Sequence, residues 1–168
     1  MEGSSSARQD TGHGARLLAG WKRMSSLPGG AWAFSRLVGR MAPYSDTIGA
    51  RVLRLEPGRC DVRLRDRRSV RNHLRSVHAI ALANLGELAS GLAAMAGMPD
   101  GVRGIPTRIT IDYTKKARGT LTAHGTADLP DVHAADGKVT TEVDARITDE
   151  EGDVVAHVRV QWTLERVS

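Results

Sequence analysis

One cysteine, one phenylalanine and an aromatic content of 4% are the first limits that this 168-residue sequence sets. A lone Cys60 excludes an internal disulfide and any zinc site built from several cysteines, and a free thiol suits a reducing, cytoplasmic setting. With so few aromatic rings, the core has to come from Val, Ile, Leu and Ala. Three catalytic signatures are also missing: a Gly-x-Ser-x-Gly elbow, a phosphate-binding glycine loop ending in Lys, and a His-Glu-x-x-His helix. The His and carboxylate residues are scattered, so no metal and no cofactor is expected. The opening residues, Met1-Glu2-Gly3-Ser4-Ser5-Ser6, hold no apolar secretory core.

What is present describes one ordinary globular domain. The length supports a single core and is short for two. The net charge of +5 is carried largely by arginine, with nine between Arg51 and Arg75 against Glu56, Asp61 and Asp66. That cluster reads first as a solvated strand face and second as a docking place for the phosphates of a small ligand. No aromatic residues interleave with it, so no nucleic acid partner is expected.

The chain divides by composition. Residues 1–16 are rich in Ser, Gly and polar groups and are expected to be a disordered tail. A helix over 16–27 and a second carrying Trp32, Phe34, Leu37, Val38 and Met41 form a helical N-terminal extension, 17–45. From there to residue 168 strand periodicity dominates. Two strands flank Pro57-Gly58, a polar loop leads to a long helix that Ser76 is expected to cap, and four more strands follow from Arg108. In Val139–Thr148 the alternation is strict: Val139, Thr141, Val143, Ala145 and Ile147 face one way. Period-two patterning means one face buried and one wet, as in an antiparallel sheet. The fold class is therefore α+β, with about six strands wrapped around one helix.

That helix carries the most informative residue. Between His78 and Met98 the only charged side chain is Glu87. An apolar run of this length passes for a membrane span, but Asn84, Glu87 and its glycines read better as a core helix, so no membrane span is expected. A carboxylate buried there is costly unless it is paired, hydrogen-bonded or neutralised, which makes Glu87 a functional candidate.

The order hairpin, loop, long helix, four strands resembles a hotdog-fold domain. The spacing Asn72-x5-His78-x8-Glu87 resembles the phenylacetate-type (PaaI-like) hotdog thioesterases. The phrases Ala42-Pro43-Tyr44, Val70-Arg71-Asn72-His73, Val77-His78-Ala79-Ile80-Ala81-Leu82, Glu87-Leu88-Ala89-Ser90-Gly91 and Tyr113–Gly119 resemble the uncharacterised DUF4442 branch more closely. The resemblance runs over about residues 30–166. It implies hydrolysis of an acyl-thioester such as an acyl-CoA. Glu87 would be general base or nucleophile, the Ala79 amide the donor to the thioester oxygen, and Asn72 and His78 positioning groups. His73 is an alternative ligand-facing imidazole, and Thr107 could offer a hydroxyl. Lys115, Lys116 and Arg118 are candidates for the nucleotide phosphates.

The chain departs from the thioesterase pattern where two glycines follow the His: it has Ala79 and Ile80, and Ile80 narrows the approach to the helix start. A non-catalytic acyl-CoA-binding or regulatory module is the alternative. His78 and Glu87 are about two and a half helical turns apart, so one chain does not bring them to one point. The resemblance implies that they meet across a homodimer, which could double into a dimer of dimers.

Overall fold

A computed structural model of the chain describes residues 12–167. Most of the expected tail lies outside these residues, although His13–Arg16 already belong to the first helix. The elements in order are α1 (His13–Ser25), α2 (Gly30–Met41), α3 (Pro43–Asp46), β1 (Arg51–Glu56), β2 (Arg59–Leu64), α4 (Ala79–Gly97), β3 (Val102–Tyr113), β4 (Leu121–Thr126), β5 (Val139–Thr148) and β6 (Val154–Arg166). One six-stranded antiparallel sheet holds all the strands, in the order β1-β2-β4-β5-β6-β3. The long helix packs across one face of the sheet, and the short helices lie against that helix and β1. This is the hotdog arrangement.

Small residues let the helix sit close to the sheet. Cys60, Gly125, Ala145 and Val158 form one cross-strand row on the helix side. A Cβ on Gly125 would run into the backbone carbonyl of Ala89, and one on Gly86 would strike Val158. Around that contact Val62, Leu64, Leu85, Leu121, Val143, Ile147 and Leu164 are wholly buried. Each such side chain contributes about 1.5–3 kcal/mol of transfer free energy. Helix α4 is long and apolar enough to cross a membrane, but here it is the core helix.

The outer side of the sheet is the wet face. Arg54, Asp61, His124, Arg146, His157 and Asp112 form a continuous row across all six strands. Asp61 lies 2.9 Å from the His124 ring, and Asp112 accepts from Arg159 at 2.7 Å. The arginines of β1 and β2 thus belong to a surface lattice of mixed sign.

Candidate functional site

The entry to α4 is pinned by its neighbours. His78 N–H donates to the Val70 carbonyl and Val77 N–H to the Ala117 carbonyl, each at 2.8 Å. The loop that carries Lys116 and Arg118 is thereby held against the helix start. His78 itself is the N-cap: its Nδ1 accepts from Ile80 N–H at 3.1 Å. Ser76, expected to be the cap, is instead buried, with its hydroxyl and amide both given to the Asn72 side chain. The neighbouring Ala79 N–H has no hydrogen-bond partner among the described residues. First-turn amides point out of the helix at its positive end, so Ala79 offers a donor to a developing oxyanion. Ile80, 56% exposed, stands beside it.

Tyr113 joins this group from the end of β3, donating its hydroxyl to the Ala79 carbonyl at 3.2 Å. Burial pushes its phenol above the usual range. Tyr113 is not among the sequence candidates, although it opens the phrase Tyr113–Gly119 and lies on the Ile109, Ile111, Tyr113 face of a strand.

Asn72 lies nearby in the preceding loop. Its Oδ1 accepts from the Leu74 amide at 2.9 Å and from the Ser76 amide and hydroxyl at 3.2 Å. These bonds close a turn in which Arg75 takes a left-handed backbone conformation, φ 58°. The amide oxygen of Asn72 thus holds its own loop. His73 is exposed beside it. Lys115 is gripped by Asp149, Glu151 and Asp153 at 2.9, 3.2 and 2.6 Å, which raises its ammonium pKa and leaves Lys116 and Arg118 as the exposed cations of that loop. Thr107 is set apart. It donates to the Gln161 carbonyl at 3.2 Å, roughly 20 Å along β3 from Tyr113.

Glu87 lies about 13 Å along the helix from His78. It is half-buried, and its carboxylate has no hydrogen-bond or ion-pair partner among the described residues. Burial raises its pKa. The carboxylate borders a cavity of about 240 Å³ lined by Leu17 of α1, Val38 and Met41 of α2, Leu88, Gly91, Leu92 and Met95 of α4, and Trp162 of β6. Among the described residues it is the only charged group in that lining. A larger hollow, about 670 Å³, lies on the outer face among Arg54, Arg59, Asp61, His124, Asp144 and Arg146. It is a gap in the charged lattice, lined by side chains of both signs.

Residues 30–164 match the family model of a domain of unknown function, DUF4442, and the chain belongs to that family. No curated protein matches it. Among solved structures it is similar to a structural-genomics protein, APC5556, at 29% identity, with a TM-score of 0.76 over 91% of this chain and 100% of the other. A Pseudomonas aeruginosa protein of unknown function, there named a probable thioesterase, is 24% identical with a TM-score of 0.70, over 77% of this chain and 91% of the other. The phenylacetic acid degradation protein PaaI of Thermus thermophilus, in a point-mutant form, is 20% identical with a TM-score of 0.60, over 72% of this chain and 97% of the other.

Proposed function

We propose that this DUF4442 protein hydrolyses an acyl-thioester, most simply an acyl-CoA, as a homodimer. The observation that carries the reading is Glu87, a desolvated and unpartnered carboxylate at the edge of an apolar cavity. A raised pKa brings a carboxylate closer to the strength needed of a base near neutral pH. Glu87 takes the proton of the attacking water or attacks the thioester carbonyl itself. Ala79 N–H receives the oxyanion, and Tyr113 and His78 hold the helix start in place. Lys116 and Arg118 meet the nucleotide phosphates. One chain holds the oxyanion donor and the carboxylate too far apart for a single thioester. A second copy along the bare edge of β3 would bring the donor of one chain to the carboxylate of the other. The free, buried Cys60 fits work in the cytoplasm.

The test is coenzyme A release from short, long and aromatic acyl-CoA thioesters by the wild type and by Glu87→Gln. Turnover should fall at least ~100-fold in the variant with fold and mass unchanged. Absence of turnover by the wild type on every thioester would sink the enzyme reading. Non-catalytic acyl-CoA binding would then replace it. The engagement of Ile80 N–H by the His78 ring favours that second reading, because it removes one first-turn donor.

Glu87 also makes a prediction about stability. Its pKa is raised in the folded state, so the folded protein holds that proton more tightly than the unfolded chain. The contribution of Glu87 to stability is then greatest in acid and is lost as pH rises from the ordinary carboxylate value through the raised one. Urea midpoints between about pH 4 and 8 should fall more steeply for wild type than for Glu87→Gln. Parallel curves would mean that the carboxylate is solvated after all.

A further inference from the structure

A second cavity lies next to the one beside Glu87. Its volume is about 180 Å³, it is bordered by His13, Met98, Val102, Arg103 and Gly104, and the two cavities share Met95 and Trp162. Leu17 and Val38 of the N-terminal helices border the first cavity on one side, with Gly91 and Trp162 opposite and the largely exposed Met41 at its rim. Leu17 belongs to α1, which lies wholly outside the segment matched by the family model. Trp162 is 5% exposed, and its Nε1–H is buried without an acceptor. A buried indole N–H ordinarily finds a partner, and the described residues offer this one none.

We propose that the N-terminal helices and α4 together form an acyl-chain pocket within one chain, and that Gly91 and Met95 set the length of chain it accepts. The inference rests on the thioester reading, with the reacting carbonyl near Glu87 and its apolar tail directed under α1 and α2. Gly91 leaves open the space between the Glu87 carboxylate and the Trp162 ring. A Cβ there would meet Glu87 Oε1 at 3.6 Å and Trp162 Cζ2 at 3.8 Å, ordinary contacts that narrow the pocket without strain. Of the two shared residues Met95 is the movable one, since an unbranched thioether side chain shifts between rotamers easily. A medium-length chain fills the first cavity, and a longer one needs Met95 out of the way.

The experiment compares wild type, Gly91→Ala and Met95→Ala. Calorimetry measures the binding of the non-hydrolysable octyl and dodecyl thioethers of coenzyme A, and coenzyme A release is followed on the matching thioesters. Met95→Ala should tighten the dodecyl thioether about 10-fold relative to the octyl one, because methylenes now enter the second cavity. Gly91→Ala should weaken the octyl thioether about 3-fold or more, with a melting temperature no lower than wild type, since Ala favours the helix. Unshifted preferences in both folded variants would overturn the pocket while leaving turnover, if present, to stand. A shifted binding preference without hydrolysis by any of the three would uphold the pocket and refute the thioesterase reading.

Discussion

The sheet has two edges, and they are finished differently. At β1 the exposed side of the strand is covered by α2, and the Val52 N–H, which has no strand beyond it, donates to the Ser35 hydroxyl of that helix at 2.9 Å. At β3 nothing equivalent exists among the described residues. Its 12 residues are almost all exposed, with Ile105 at 64% and Ile109 and Tyr113 at 49%. Ile109, Ile111 and Tyr113 share a face with Val160, Val158 and Ala156, their partners on β6, which are all buried. The same face of the same sheet is dry on β6 and wet on β3. A protein usually blunts a strand edge with charge, proline or a cover. One edge here is closed within the chain, and the other leaves apolar side chains in water.

The most damaging way to break this comparison is a charge on the open edge. Ile109→Glu leaves the isolated chain little changed, because the side chain is already half in water. In a dimer formed along β3 it would bury a carboxylate in each copy, so association should weaken at least ~100-fold. Light scattering after size exclusion should show the mass falling to that of one chain, and turnover should fall with it. A variant that keeps both the wild-type mass and full turnover would remove β3 from the interface.

The next largest effect belongs to the closed edge. Phe34 is 1% exposed and meets Trp21 edge to face, with ring centroids 5.1 Å apart. It anchors α2 between α1 and the sheet. Phe34→Ala should cost about 3–5 kcal/mol in urea unfolding and make the protein prone to aggregate as β1 loses its cover. A cost below about 1 kcal/mol would mean that α2 is held by something other than this ring.

The two edges also mark what can be read in the sequence. All six strands and the long helix are legible, because period-two alternation and an unbroken apolar run with one carboxylate are local signals, although β3 begins at Val102 and not at Arg108, its first half carrying Gly104 and Pro106. Glu87 is legible for the same reason. The edges are not. The alternation of Ile109, Ile111 and Tyr113 reads as a buried face, and only the strand order reveals that β3 ends the sheet. The cap of α4 is misread because Ser76 has the right residue type, while the Oδ1 of Asn72 claims it through a turn of the loop. Lys115 reads as a free cation because its three carboxylates lie more than 30 residues away, on the turn from β5 to β6. Leu17 and Trp162 meet at one cavity from opposite ends of the chain, and no spacing announces that.

The smallest and most specific effect tests the hydroxyl at β1. Ser35 donates to the Ala31 carbonyl of its own helix at 2.7 Å and accepts from Val52 N–H, so it joins helix and strand with one atom. Val52 is 2% exposed, which leaves water little access to its amide. Ser35→Ala therefore strands a buried donor and should cost about 1–3 kcal/mol in urea unfolding, with mass and turnover as in wild type. Ser35→Thr keeps the acceptor and should recover most of that loss. Should the alanine variant instead change the oligomeric state, β1 would be an interface strand too, and the contrast between a finished and an open edge would fail.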